Sequence, residues 1–290
     1  MGLTGENIRP TAMQGASNNS PDAVSQQASP HRVWAKIEYD GTDFFGFQVQ
    51  SVERTIQGEI ERALKAITGV ATRVLGAGRT DQGVHARGQV IAFEVQWKHS
   101  LSDLQRALNA TLAADVAIVE MGLASEGFHP RFGARSRTYR YRLLNQPGRS
   151  PLARRTAWHV DKWLDVVPMA EASGHLVGSH DFGAFGRPPQ GENCVRRVFR
   201  AEWKEQRPFL LFDIEANAFL YRMVRSIVGT LVLVGWGEMT VEEFETILAS
   251  KDRSQVRQLA PAHGLCLIQV NYDIPKEFCS EDLDGQNSRD

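Results

Sequence analysis

Apolar residues along the chain switch repeatedly between a period of two and a period near 3.6, and the switches mark its elements. The first strand reads from Val33 to Tyr39 and ends at the turn signal Asp40-Gly41. A helix follows over 56–68. Ile56, Ile60, Ala63, Leu64 and Ile67 share one face, Thr55 can cap its start and Gly69 its end. Short strands at 72–75 and 89–95 flank a glycine-rich loop; in the second, Gln89, Ile91, Phe93 and Val95 alternate with Val90, Ala92 and Glu94. Ser100 caps a helix through Leu112, and 116–121 reads as a strand.

The order strand, helix, strand, strand, helix, strand then repeats. Strands are expected at 138–144, 195–204, 209–215 and 265–271, and helices at 164–176 and 219–234. A further helix capped at Thr240 runs to Ala249. Residues 178–193, with Pro188-Pro189 and four glycines, read as a long loop. The pattern suits an α+β fold of two ferredoxin-like (RRM-like) halves, with antiparallel sheets joined around a central positively charged cleft. The halves are expected over 32–130 and 131–275. Residues 1–31, rich in Ser, Asn, Gln, Ala and Gly, read as a disordered tail, with a transit peptide as the alternative, and 276–290 as an acidic tail.

Composition is that of an ordinary globular chain: 42% hydrophobic, 23% charged, net charge −1. The balance alone gives no reason to expect nucleic acid; the distribution does. Eight arginines and no Asp, Glu or Lys lie from Arg131 to Arg155, interleaved with Phe132, Tyr139 and Tyr141. Guanidinium and aromatic groups together suit phosphates and bases, whereas a plain charge run is usually a solvated face. Three cysteines, far apart, argue for neither zinc nor a disulfide framework and fit a reducing cytosol. No apolar run suits a membrane span; the best, 219–236, contains Arg222 and Arg225.

The densest chemistry lies in Gly76-Ala77-Gly78-Arg79-Thr80-Asp81-Gln82-Gly83-Val84-His85-Ala86, where one carboxylate, one guanidinium and one imidazole crowd a loop between strands. A dinucleotide fingerprint fails because the third glycine is missing and a strand follows; a P-loop fails for want of Gly-Lys-Ser/Thr. Local physics leaves two readings, a hairpin loop with an Asp cap and a functional site.

Arg79 to Ala86 closely resembles the signature of the tRNA pseudouridine synthase A (TruA) family, in which the Asp is catalytic; Gln82 stands where a small residue is common. The blocks Phe128-His129-Pro130-Arg131-Phe132, Arg137-Thr138-Tyr139-Arg140-Tyr141, Asn217 to Arg225 and Gly264-Leu265-Cys266-Leu267 resemble the family's later ones, in its order, over about 33–275. The resemblance implies Asp81 as the catalytic carboxylate. It also implies that Arg79 enters the space left by a flipped base, that Tyr139 stacks on that base, and that Leu265 contributes to substrate binding. Arg225 would pair with Asp81 and hold it ionised by lowering its pKa. Tyr141 reads as core and His85 as a structural group. The helix at 219–234 is apolar almost all round and so reads as buried; Arg222 within it reads as reaching the surface.

The resemblance further implies isomerisation of uridine to pseudouridine at tRNA positions 38, 39 and 40 in the anticodon stem-loop, by a cytoplasmic homodimer without metal or nucleotide cofactor. Asp81 is compatible with attack on C6, attack on C1′ or removal of the C2′ proton. Arg135, Arg137 and Arg140 are expected to contact RNA phosphates. The rival reading is a catalytically silent RNA-binding protein with paired RRM-like halves, which explains the arginines but leaves Asp81 without a purpose.

Overall fold

Alternation in the first strand decides which face of the sheet is covered. The computed structural model describes residues 30–273. The expected tails lie outside them, except for Pro30 and His31. Strand β1 (His31–Tyr39) buries Val33, Ala35, Ile37 and Tyr39 on one side. Helix α1 (Ile56–Thr68) covers that side with Ile56, Ile60, Ala63 and Leu64; Thr55 accepts from Gly58 N at its start and Gly69, at φ 74°, ends it. After β2 (Leu75–Gly76) and β3 (His85–Val95), helix α2 (Leu101–Thr111) starts in a reciprocal Ser100–Asp103 cap and leads to β4 (Val116–Leu123).

The second half contains β5 (Ala134–Asn145), β6 (Trp158–Val160), α3 (Val166–Gly174), β7 (Gly178–Asp181), β8 (Val195–Gln206) and β9 (Phe209–Ala216). It ends with α4 (Met223–Gly235), α5 (Val241–Ser250) and β10 (Leu265–Tyr272). All ten strands form one sheet ordered β4-β1-β3-β10-β5-β9-β8-β7, with β2 beside β3 and β6 beside β5. Each half therefore runs in one order: β4-β1-β3-β2 in the first and β10-β5-β9-β8 in the second. Pairing within each of these runs is antiparallel. The halves meet where β10 lies parallel to β3, Cys266 opposite His85 and Leu267 opposite Ala86. This is a mixed α+β chain around one large, mostly antiparallel sheet.

The differences from the sequence reading have local causes. The strand expected at 72–75 shrinks to two residues because α1 captures its backbone: Glu61 accepts from Val74 N at 2.9 Å and Gln57 donates to Val74 O at 3.2 Å. The helix expected from 219 begins at Met223, because Arg222 sits at φ 63° and Asn217 bonds Arg197 N and Ala218 N at 2.9 Å each. Arg222 is thus the residue before the helix, not one within it. The loop expected at 178–193 opens with β7, which pairs with β8. β6 carries too few residues for alternation to reveal.

Helix α4 is buried nearly all round, and its Gly229 sets how closely the chain can approach it. A Cβ there would stand 2.2 Å from Gln258 O. That room lets residues 258–260 lie on the helix, where Arg225 Nε donates to Ala260 O at 2.8 Å and Ala260 N donates to Arg225 O at 3.1 Å. Alanine normally stabilises a helix interior over glycine by about 1 kcal/mol. Here the collision with backbone reverses the sign: Gly229→Ala should lower the unfolding free energy by roughly 1–3 kcal/mol, the usual cost of overpacking. Urea denaturation measures this; a gain in stability would show that the strap yields.

Candidate active site

Residues 77–84 leave the sheet between β2 and β3 and are clamped on two sides. Ala77 N donates to Val90 O at 2.8 Å and Gln89 Nε2 to Gly78 O at 2.8 Å. From the other side Phe47 N donates to Thr80 O at 3.1 Å, and Thr80 Oγ1 shares a 2.8 Å hydrogen bond with Tyr39 OH. Gly46, at φ 92°, permits that approach, since a Cβ would lie 2.8 Å from Thr80 O. Asp81 follows directly on Thr80, and its own carbonyl accepts from Val84 N at 3.1 Å. The backbone that presents its carboxylate is therefore held before any ligand arrives.

Asp81 Oδ2 accepts one hydrogen bond, at 3.3 Å, from Arg225 Nη1 of α4, and the two side chains are 22% and 12% exposed. The pairing expected from the resemblance is present in geometry, but its expected effect on the carboxyl is not. Burial raises the Asp81 pKa above the ordinary carboxylate value, and Arg225 and Arg222 offset only part of that rise. A single long contact does not replace the water lost by both oxygens, whereas a bidentate pair would come closer.

The carboxylate opens into a cleft of about 620 Å³ lined from both halves. Tyr139 and Leu265 line it, Tyr139 buried with its ring edge-on to Phe219 at 5.0 Å between centres, and Arg79 stands exposed in its wall. Burial and the nearby Asp81 push the Tyr139 phenol well above its usual range, so it stays protonated. Seven arginines line the cleft (73, 79, 131, 137, 187, 196 and 222), and among the described residues Asp81 is its one acidic residue. Among the described residues none of the seven makes an ion pair. Arginines elsewhere do so repeatedly, as in Arg54–Asp115, Arg62–Glu59 and Arg207–Glu205. Phe132, 76% exposed, and Tyr221, 50% exposed, add open aromatic faces.

Of the expected phosphate contacts, none is free. Arg140 is held by Asp213 through two bonds of 2.6 and 2.8 Å, and Arg135 pairs with Asp273. Arg137 faces the cleft, but its guanidinium is spent on four carbonyls, those of Ala77, Arg131, Ala134 and Asn217. It ties β5 to the Asp81 loop, a structural task that alternation along the strand does not reveal. The unpaired arginines of the cleft lie elsewhere, and of them only Arg131, besides the carbonyl-bound Arg137, belongs to the segment singled out by composition. Arg187 and Arg196 flank the proline pair, where the density of arginine from 196 to 200 was the available signal. His85 is structural: Nδ1 accepts from Gly41 N at 3.0 Å, so Nε2 carries the proton toward Arg155 O at 2.7 Å. Tyr141 is core, fully buried, with its hydroxyl donating to Pro261 O at 2.7 Å.

One buried carboxylate in a cleft of unpaired guanidinium groups and open rings defines a protein that brings an anionic, ring-bearing ligand against a single acid. The model of the tRNA pseudouridine synthase family matches residues 35–132 and 172–273, and the chain belongs to that family. A tRNA pseudouridine synthase A of Roseiflexus castenholzii is 44% identical over 243 residues, covering 82% of this chain and 89% of that one. One from Chloroflexus aurantiacus is 46% identical over 242 residues, covering 81% and 87%.

The raised Asp81 pKa carries a sign for stability. Ionising Asp81 is harder in the folded chain than in the unfolded one. Stability should therefore fall as pH rises from about 4, the unfolded value, through the higher folded value. Asp81→Asn removes that cost, so it should raise the unfolding free energy at pH 7 and flatten its pH dependence above 4. Denaturation at pH 4 and pH 7 compares the two; a loss of stability at pH 7 would mean that attraction to Arg225 outweighs burial.

Proposed function

We propose that the chain isomerises uridine to pseudouridine in the anticodon stem-loop of tRNA, with Asp81 as the catalytic carboxylate. The observation that carries this reading is Asp81 itself, the sole acid among the described residues of an arginine-lined cleft and held against Arg225. A protein that only bound RNA would gain nothing from a buried negative charge where phosphates must approach. The relatives from Roseiflexus castenholzii and Chloroflexus aurantiacus are named as tRNA pseudouridine synthases. In the reaction the N1–C1′ bond breaks, a C5–C1′ bond forms, and the C5 proton is lost as N1 gains one. Atoms balance within the nucleotide, so no co-substrate is called for.

The residues support a division of labour. A uridine inside a stem must leave the stack to be reached. Arg79, exposed beside Asp81, would fill the space it leaves; Tyr139, set by Phe219, would stack on the flipped ring; Leu265 would close the pocket wall. A carboxylate with a raised pKa is a better nucleophile and base than an ordinary one, and Arg225 opposes the rise that burial causes. The unpaired arginines would take phosphates, making the cleft positively charged.

The two halves, 32–130 and 131–275, are read as ferredoxin-like, supported by the strand order that both repeat. The family pattern extends the proposal to a cytoplasmic homodimer. Among the described residues no helix is long and apolar enough to cross a membrane.

Two measurements test the chemistry. Mass mapping of pseudouridine in an unmodified tRNA transcript should show product with the wild type. Asp81→Asn should lower turnover by at least about 100-fold while tRNA affinity stays within about tenfold, since the isosteric amide keeps the loop. Product at even a tenth of the wild-type rate would overturn the assignment. Arg225→Met removes a cause that lowers the Asp81 pKa, so the acid limb of the kcat/KM profile should move to higher pH. An unmoved limb would place another group in control of it.

A further inference from the structure

Four residues of the cleft have no individual place in the division of labour above, yet they are built together. Tyr221 N donates to Arg187 O at 2.9 Å, and the two residues form an isolated antiparallel bridge, which fixes the connection before β8 against the one before α4. Arg222 holds φ 63°, a left-handed conformation that a residue with a Cβ seldom adopts and that marks an over-determined backbone. Its guanidinium lies over the Tyr221 ring, 4.8 Å from the centre, while half of Tyr221 remains exposed. Arg196 Nη1 donates to Asn193 O at 3.1 Å and Val195 O at 2.6 Å, and its buried Nε has no partner among the described residues.

We propose that Arg187, Arg196, Tyr221 and Arg222 form a subsite for one single-stranded nucleotide adjacent to the uridine at Asp81. The guanidinium groups take its phosphate, and the Tyr221–Arg222 platform takes its base. The inference rests on the pseudouridine synthase reading. Three cations without an acidic partner among the described residues, in one concave wall, suit a polyanion, and a flat ring under a guanidinium is a surface on which any base can stack. An acidic peptide would satisfy the arginines but leave the ring unused. All four side chains line the same cleft as Asp81, so a strand whose uridine reaches that carboxylate passes them. Arg222 also lies near enough to Asp81 to lower its pKa, which fits adjacency.

The test uses the full chain and an unmodified tRNA transcript, with Kd measured against salt alongside kcat and KM. Arg222→Asn suits the position because asparagine tolerates the left-handed conformation, and Arg187→Gln provides a second variant should the first fold poorly. Each should reduce the slope of log K against log salt by about one unit and raise KM; in Arg187→Gln, which is not among the groups that shift Asp81, kcat should stay within about twofold. Tyr221→Ala should weaken binding roughly tenfold and Tyr221→Phe should retain it, as base stacking requires. Unchanged slope and KM in both arginine variants would overturn the subsite. So would a fall in kcat at constant KM, which would assign Arg222 to the electrostatics of Asp81. Wild-type protein that shows the arginine-dependent slope but makes no pseudouridine would sink the synthase reading and leave the nucleotide subsite supported.

Discussion

Asp81 and Arg225 stand 144 residues apart in the chain, and they meet because the last strand lies between the two halves. β10 pairs with β5 along most of its length but touches β3 through only two opposed pairs, Cys266 with His85 and Leu267 with Ala86. That short parallel seam sets the Asp81 loop, which enters β3, against α4, which belongs to the other half. Arg137 reinforces the contact from β5 by donating to Ala77 O at 3.0 Å, and Gly229 lets the 258–260 strap lie on α4 and hold Arg225. The site is thus a property of the joint, and neither half has it alone.

Two opposing effects decide the state of the carboxylate at that joint. Burial penalises its charge; Arg225 and Arg222 favour it, and burial wins. A tighter, bidentate partner would make Asp81 inert by stabilising the ion too well. The single 3.3 Å contact leaves one oxygen unbonded among the described residues, the arrangement expected of a group that has to react. Stability and reactivity are here set against each other.

Arginine serves two purposes in the chain, and pairing tells them apart. Where arginines staple the fold they meet carboxylates or carbonyls, as Arg54 does with Asp115 and Arg137 with four backbone oxygens. In the rest of the cleft wall the guanidinium groups have no carboxylate partner among the described residues, and their counter-charge must come from a ligand. A count of arginines along the sequence mixes the two populations, which is why Arg135, Arg137 and Arg140 stood out and Arg187 and Arg196 did not.

Much of the architecture was legible in the sequence, because alternation, caps and turns are local. Helix α1 runs over 56–68 as its Thr55 and Gly69 caps imply, Ser100 starts α2, and the strand–helix repeat is present in both halves. The loop around Asp81 was also legible, since glycines and a carboxylate between strands are a local signature. Tertiary structure alone decided what depends on distant neighbours: the central place of β10, the captured backbone at Val74, and the start of α4 at Met223 after a left-handed Arg222. It also decided which arginines are free and which way the Asp81 pKa moves. Charge and burial act through space, so a partner dozens of residues away sets their balance, and no window along the chain contains it.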